Sequence, residues 1–149
     1  MASFPARASI FAGAIALALF QSASAHALDN TPAAKVVVTP LASTTVTANG
    51  QPIVLPQKNV QVLVSSFEIP PGASLPVHMH PSARYAYVLE GQLQVTNAET
   101  GKSTSYKTGD FIVEMLGTWH QGANVGAEPV KLLVIDQVDE GTANTLLKK

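Results

Sequence analysis

The 149-residue sequence contains no cysteine. Disulfide bonds, thiolate metal sites and cysteine nucleophiles are therefore excluded, and any metal must be bound by nitrogen and oxygen atoms. Charge is also scarce, because charged residues make up 13% of the chain, the formal net charge is −1, and the only basic pair is Lys148-Lys149. Such a chain indicates neither nucleic-acid binding nor a polybasic membrane contact, so the expected partner is a small molecule.

An apolar segment near the N-terminus predicts export. Arg7 precedes an apolar run over residues 8–20, and Ala23-Ser24-Ala25 offers a small-residue cleavage site. The run is shorter than the roughly 20 residues that a membrane-spanning helix needs. We therefore expect residues 1–25 to be a signal peptide and the mature chain, residues 26–149, to be periplasmic or secreted, without a membrane partner after cleavage.

The remainder of the sequence has almost no helical periodicity. Short β-branched and apolar segments predict strands, at residues 36–38, 60–64, 85–89, 92–95, 111–113 and 130–135. Turn residues such as Pro70-Pro71-Gly72 and Glu90-Gly91 separate them. Because many short strands must bury one face against a second sheet, the mature chain is expected to be one all-β sandwich or barrel. The end segments, residues 27–34 and 140–149, lack a strong pattern, and we interpret them as arms or frayed strands.

His78 and His80 are separated by a single residue. Residues two apart in a strand face the same side, so both imidazoles can enter one interior. Neutral imidazole is a common ligand of divalent transition metals, and a third ligand from elsewhere would complete a site. His120 is the only other histidine beyond the mature N-terminus. A His-x-His pair also occurs without a metal on an exposed or half-buried strand, so the pair alone leaves both interpretations open.

Two segments resemble the paired sequence motifs of the cupin superfamily. The first motif, G-x5-H-x-H-x3-(E or Q)-x6-G, is matched by Gly72, His78, His80 and Gly91. The second motif, G-x5-P-x-G-x2-H-x3-N, is matched by Gly109, Gly117, His120 and Asn124. The resemblance implies an all-β double-stranded β-helix, or jelly-roll, barrel with its core motifs over residues 72–124. It also implies that His78, His80 and His120 hold a divalent metal ion, with iron, manganese, zinc and nickel as candidates.

Arg84 stands where the first motif has a metal-binding glutamate or glutamine. A guanidinium cannot bind a metal, because it is permanently protonated and has only donors. If Arg84 points inward, it lies near a cation, and an anionic group between them would stabilise the arrangement. Arg84 is therefore a candidate anchor for a substrate carboxylate. It could equally turn to the rim of the barrel and pair with an acidic neighbour.

Three versions of the metal site follow from the missing carboxylate. In the first, three histidines hold the metal, and water or substrate completes an open, catalytic type of site. In the second, another oxygen ligand compensates, and the candidates by sequence proximity are Glu114, Tyr85, Tyr87 and Gln121. In the third, the metal is weak or absent and the barrel binds a small ligand.

Several side chains near the motifs are candidates for a pocket wall, namely Tyr85, Tyr87, Phe111, Glu114, Met115 and Trp119. The aromatic members could surround an apolar or ring-bearing ligand, although core packing would suit most of them equally. Trp119 directly precedes His120, which makes it the best cavity candidate among them. Met115 replaces the usual proline of the second motif and offers a polarizable apolar contact.

The expected function is that of a metal-dependent enzyme, because the resemblance includes dioxygenases that act on small carboxylates, thiols or diketones. Isomerase and lyase chemistry are further options, and no separate nucleophile or paired-carboxylate motif stands out. The alternative is a non-catalytic barrel that binds a small ligand or buffers metal, which the missing fourth ligand favours. Homodimerisation is also expected, since symmetric pairing can cover edge strands and an apolar sheet face.

Overall fold

The computed structural model describes residues 35–149. The chain divides into two units, residues 1–37 and residues 38–149, and the fold described below is that of the second unit. The predicted signal peptide and the predicted arm at residues 27–34 lie outside the described residues, so export stays a prediction. Among the residues described, no helix is long and apolar enough to cross a membrane.

The second unit is built from nine β-strands. These are β1 (Val60–Ile69), β2 (His78–Met79), β3 (Arg84–Glu90), β4 (Gln92–Asn97), β5 (Ser103–Lys107), β6 (Phe111–Val113), β7 (His120–Asn124), β8 (Val130–Asp139) and β9 (Leu146–Leu147). They form a four-stranded sheet in the order β1-β8-β3-β6 and a five-stranded sheet in the order β5-β4-β7-β2-β9. All named pairs are antiparallel. The predicted all-β jelly-roll fold is confirmed.

Most of the strands predicted from apolar segments are present, and one is not. Residues 36–38 form no strand, and their valine side chains are exposed. The prediction missed β5 and β7, whose sequences, STSYK and HQGAN, are largely polar or small. The two-residue strands β2 and β9 were also not among the predicted apolar segments. Apolar character alone therefore predicts one strand that is absent and misses four that are present.

The hydrophobic core lies between the two sheets, because side chains along a strand point alternately to opposite faces. Along β8 the buried positions are Val130, Leu132, Val134, Asp136 and Val138. Leu93 and Val95 from β4 pack against this series from the other sheet. Asp136 is the one charged residue among the inward-facing positions of β8, so it needs a buried partner.

The turn between β3 and β4 depends on Gly91. Its φ of +80° lies in the left-handed region, which glycine adopts at little cost. A Cβ atom at this position would also lie 2.6 Å from the carbonyl oxygen of Pro129. Glycine is therefore required at position 91 for two reasons, namely its backbone conformation and the close approach of the chain before β8.

The C-terminal segment is part of the five-stranded sheet, which corrects its interpretation as an arm or frayed end. Strand β9 pairs with β2, with Leu147 opposite His78 and Leu146 opposite Met79. The backbone N–H of Lys148 donates to the carbonyl of Val77 at 2.9 Å. This short strand lies directly beside the histidine-bearing strand, so it contributes to the surroundings of the site.

Strand β1 lies at the end of its sheet, so one of its edges is unpaired within the part of the chain that is described. Its outward-facing side chains include Val60, Val62 and Val64, which are 50%, 54% and 63% exposed. Exposed apolar side chains on an open edge favour association with another strand.

Candidate metal centre

Three histidines and one glutamate converge between the sheets. His78 lies in β2, His80 directly follows it, Glu114 follows β6, and His120 begins β7. One potential ligand atom from each of the four residues lies within 4.8 Å of all the others. The three imidazoles are almost completely buried, at 5%, 1% and 1% exposure. The cluster is therefore a possible metal-binding site with three nitrogen atoms and one carboxylate oxygen.

Strand pairing explains why the histidines meet. His78 lies directly opposite His120 in the antiparallel pair of β2 and β7. His80 lies two residues further along and is buried like His78, while Met79 between them is only half-buried. The three ring centroids lie 4.6–4.9 Å apart. The same-face geometry predicted from the His-x-His spacing is thus present in the structure.

Each imidazole is oriented by a backbone carbonyl. Nδ1 of His78 lies 2.7 Å from the oxygen of Pro76, Nδ1 of His80 lies 2.6 Å from that of Asn144, and Nδ1 of His120 lies 2.8 Å from that of Thr118. A carbonyl only accepts, so each Nδ1 carries a proton and donates it. In a neutral ring, Nε2 is then an unprotonated acceptor, which is the form that binds a metal.

Glu114 places a carboxylate oxygen among these acceptors. Its Oε2 lies 3.1 Å from Nε2 of His80 and 3.1 Å from Nε2 of His120. Acceptor atoms at this distance repel one another unless a proton or a cation lies between them. Imidazole nitrogen and carboxylate oxygen are also the donor atoms that iron, manganese, zinc and nickel accept. The residues present therefore fit a divalent metal ion.

The electrostatic environment favours an ionised Glu114 and a neutral His78, and it favours a proton on His120 while no metal is bound. Burial would raise the pKa of Glu114, but hydrogen bonds with His120 and His80 lower it well below its usual value. Burial lowers the pKa of His78, and the neighbouring histidines lower it further. Burial lowers the pKa of His120, but the interactions with Glu114 and the hydrogen bond with the Thr118 carbonyl together raise it above its usual value. At neutral pH the carboxylate is ionised and His78 is neutral, as metal binding requires.

Of the four oxygen candidates considered from the sequence, Glu114 is the one that the structure places among the three histidines. Its backbone N–H donates to the carbonyl of Arg84 at 2.9 Å, so the two residues lie side by side. A carboxylate is thus present beside position 84, directly after the strand that pairs with β3. Two other candidates are engaged elsewhere, because the Tyr85 hydroxyl donates to Gln137 and the Gln121 amide donates to Leu75.

Arg84 points inward and is buried, with 8% exposure, so it does not turn to the rim. Its Nε and Nη2 donate to the two carboxylate oxygens of Asp136 at 2.7 and 2.9 Å, and Nη2 also donates to Thr145 at 3.2 Å. Its Nη1 lies 3.5 Å from Nε2 of His80. Arg84 therefore pairs with an acidic residue and still presents one nitrogen to the metal centre. Its role as a substrate anchor stays a prediction.

Asn144 supports the site and was missed in the sequence. Its carbonyl accepts from His80, its side-chain nitrogen donates to Asp136 at 2.6 Å, and its side-chain oxygen accepts from the backbone N–H of Ser82 at 2.8 Å. One residue of the C-terminal segment thus connects a metal-site histidine with the buried ion pair. Asn144 belongs to neither motif and lies 64 residues from His80, so no local pattern indicated its role.

A small cavity adjoins the histidines, and only one of the proposed pocket residues, Glu114, lines it. The apolar wall consists of Phe67, Leu75, Leu93, Val95, Leu132 and Val134. The structure does not bring the other candidates to this cavity. Tyr85 and Tyr87 are half-buried at positions that alternate with the inward-facing residues of β3, and Tyr85 stacks on Phe111. Trp119 is half-buried beside His120, and Met115 is buried in the core next to a different cavity.

Two antiparallel sheets around a buried cluster of histidines define a jelly-roll barrel with a possible metal site in its interior. The sequence profile of the cupin domain matches residues 65–136. This range includes His78, His80, Glu114 and His120. Residues 65–136 therefore form a cupin domain.

Solved structures resemble this chain at low sequence identity. The polyketide cyclase RemF from Streptomyces resistomycificus is 22% identical with a TM-score of 0.50, and the match covers 59% of this chain and 62% of the cyclase. A protein with a double-stranded β-helix domain from Klebsiella pneumoniae subsp. pneumoniae is 21% identical with a TM-score of 0.49, and the match covers 77% of this chain and 99% of that one. No curated protein matches the sequence. The likeness to the cyclase extends to the fold alone.

The substitution Glu114→Gln is expected to weaken metal binding by about tenfold or more, because it replaces an anionic ligand by a neutral one of the same shape. Calorimetric titration of the metal-free protein with Mn²⁺ or Zn²⁺ would measure the change. Glu99→Gln is the matched control, since Glu99 is exposed and forms no ion pair among residues 35–149. Equal affinities in the two variants would show that Glu114 is not a ligand.

Proposed function

We propose that the protein is an exported, metal-dependent enzyme that acts on a small molecule by dioxygenase-like chemistry, with isomerase or lyase chemistry as the second option. The observation that carries the proposal is the set of three Nε2 atoms and one carboxylate oxygen, all facing one another in a buried site. The predicted signal peptide supports function in the periplasm or outside the cell.

The protein residues have distinct roles in this proposal. His78, His80, His120 and Glu114 would hold the ion, and backbone carbonyls orient the histidine rings. When bound, the metal supplies Lewis acidity and, in the case of iron or manganese, redox chemistry. The apolar wall of the cavity excludes water from the site. Arg84 directs an N–H group toward the same space, where it orients an electron-rich atom of the substrate.

A non-catalytic barrel that binds a small ligand or buffers metal is the second candidate. The observation that favours it is the small cavity beside the histidines, of about 20 Å³, which leaves little room for an organic substrate. A binding protein holds its metal or ligand stoichiometrically and consumes neither oxygen nor substrate. Turnover therefore separates the two functions.

The test begins with elemental analysis of protein matured in the periplasm. We expect about one equivalent of a divalent metal per chain, because residues 35–149 contain one such four-ligand cluster. Metal-free protein is then reconstituted with iron, manganese, zinc or nickel, and oxygen uptake is measured over a set of small carboxylates. Oxygen uptake with a redox metal supports the enzyme. Stable metal without turnover of any substrate supports the buffering barrel, and a failure to take up any metal contradicts both metal-dependent functions.

Homodimerisation stays a prediction. The open edge of β1 and its exposed valines support it, because a strand at a sheet edge can pair with its own copy across a two-fold axis. Sedimentation velocity would give the mass in solution. A mass of two chains is expected, and a single chain across the micromolar range would contradict the proposal.

A further inference from the structure

A second cavity is separate from the space beside the histidines. We call it the edge cleft, and it is formed by residues 48–49, by β4 and β5 with the turn between them, and by Met115. Strand β5 is the last strand of the five-stranded sheet, so the cleft lies at an edge of that sheet. Its volume is about 320 Å³, and small-molecule sites in proteins have volumes of about 300–1,000 Å³. The edge cleft is therefore large enough for a small organic molecule.

The inner wall of the edge cleft is apolar. Val95 and Met115 line it, are 7% and 6% exposed, and belong to the hydrophobic core. Tyr106 packs against the same core and is half-buried. A thioether and a phenol ring both make favourable contacts with an aromatic ring. This wall therefore suits an aromatic ligand better than an aliphatic one.

The outer part of the edge cleft is polar. Among residues 35–149, Lys102 is its only charged lining residue, and Lys102 is exposed and forms no ion pair. Thr104 and Tyr106 lie two residues apart in β5, so both side chains face the cleft. Burial, together with the negative charges of Glu114 and Asp110, raises the pKa of Tyr106, so its hydroxyl keeps its proton at neutral pH. An ammonium group and hydroxyl donors beside an apolar wall suit a ligand with one carboxylate group.

Two carboxylates lie near Tyr106, but neither lines the edge cleft. Asp110 pairs with Lys107 at 2.8 Å. Glu114 is directed toward the histidine cluster, where its Oε2 lies 3.1 Å from two imidazole nitrogens. Both negative charges therefore have partners outside the cleft, and the charge within it is that of Lys102.

We propose that the edge cleft is a binding site for a small aromatic monocarboxylate, with the ring against Met115 and Tyr106 and the carboxylate at Lys102. The site goes beyond the proposed function, because none of its lining residues is a candidate metal ligand. Val95 lines both the edge cleft and the space beside the histidines, so the two spaces share one wall. A ligand in the edge cleft therefore binds close to the metal centre without displacing a metal ligand.

Benzoate is the probe, and calorimetry measures its affinity for the protein as purified and after removal of metal by chelation. Benzamide has the same shape without the charge, and cyclohexanecarboxylate has the same charge without the aromatic ring. We expect benzoate to bind about fivefold more tightly than either, which is the size of effect that one exposed ion pair or one aromatic contact provides. The affinity for benzoate should be the same with and without metal.

Three results of this titration would overturn the proposal. The first is no binding of benzoate. The second is an affinity for benzamide or cyclohexanecarboxylate equal to that for benzoate, because the charge or the ring would then not be recognised. The third is loss of benzoate binding after chelation, because the carboxylate would then be bound at the metal centre.

Two pairs of variants locate the bound ligand. Thr104→Trp places a large side chain in the edge cleft, and Ser105→Trp places the same side chain on the opposite face of the same strand, at an equally exposed position. Lys102→Gln removes the charge of the cleft, and Lys58→Gln removes an exposed charge outside it. We expect Thr104→Trp to abolish benzoate binding and Lys102→Gln to weaken it about fivefold, while both controls bind like the wild type. If each variant bound benzoate as tightly as its control, the ligand would lie elsewhere and the proposal would be wrong.

Methionine methyl signals in nuclear magnetic resonance spectra give a direct readout of the same site. Met115 lines the edge cleft, whereas Met79 lies in β2 and does not. Benzoate should shift the ¹³C-labelled methyl signal of Met115 and leave that of Met79 unchanged, and the variant Met79→Leu assigns the two signals. A Met115 signal that does not move at saturating benzoate would contradict the proposal. Because binding is measured without metal, such a result would leave the proposed metal-dependent function standing.

Discussion

Replacement of Asp136 by asparagine is expected to lower the free energy of unfolding by about 3–5 kcal/mol, because it leaves the buried charge of Arg84 without its counterion. Asp136 and Arg84 are 5% and 8% exposed, and their contact is bidentate. Asparagine has nearly the same volume and retains an oxygen that can accept from Asn144. The loss therefore reports the missing charge and not a cavity. Urea unfolding of the metal-free protein would measure it.

The double variant Arg84→Gln/Asp136→Asn is the matched control for this prediction. Removal of both charges avoids an unpaired buried ion, so most of the lost stability should return. Glu90→Gln provides a second comparison, because Glu90 forms an exposed ion pair with Lys131 and its loss should change stability little. If Asp136→Asn and Glu90→Gln had similar effects, the buried ion pair would not contribute to stability as proposed.

The all-β fold could be predicted from the sequence because burial imposes an alternating pattern on the strands that cross the core. The inward-facing valines and leucine of β8 show this directly. Strands at the sheet edges are under weaker constraint, since one face or one edge meets water. For this reason β5, with serine and threonine at most positions, was missed. The apolar residues 36–38 gave the opposite error, because apolar composition does not require strand pairing.

The histidines could be predicted because two of them lie on one strand and the third lies in a recognisable motif. Glu114 was a candidate, but it could not be ranked above Tyr85, Tyr87 or Gln121. Its position depends on the register between β3 and β6, in which Tyr85 lies opposite Val113. Register follows from packing over the whole sheet and cannot be determined from spacing within one segment.

The partners of Arg84 and His80 could not be predicted from the sequence either, because they lie far away along the chain and are brought close only by packing of the whole fold. Asp136 lies 52 residues from Arg84, and Asn144 lies in a segment with no apolar pattern. The one local signal was a charged residue in the inward-facing series of β8. A buried charge requires a counterion, so this position could have directed attention to Arg84, the only motif residue with an unexpected charge.

Simultaneous replacement of His78, His80 and His120 by alanine is expected to abolish metal binding. The metal content should fall from about one equivalent to near zero, because Glu114 alone cannot hold a transition metal at a buried site. Elemental analysis after exhaustive dialysis would measure the content. Circular dichroism should still show β structure, since the sheets are held mainly by backbone pairing and by an apolar core that the histidines do not form.

Thermal and urea unfolding test the same prediction through the gain in the free energy of unfolding that bound metal produces. A ligand that binds only the folded chain stabilises it by about 4 kcal/mol when its concentration is 1,000 times the dissociation constant. The wild type should therefore gain about that much when metal is added at such an excess, and the triple variant should gain nothing. Glu114→Gln should gain about 1.4 kcal/mol less than the wild type at the same metal concentration, if its affinity is tenfold lower. Equal stabilisation of the triple variant and the wild type would place the metal somewhere other than the histidine cluster. A graded response, largest in the wild type, smaller in Glu114→Gln and absent in the triple variant, would establish that all four residues act on the same ion.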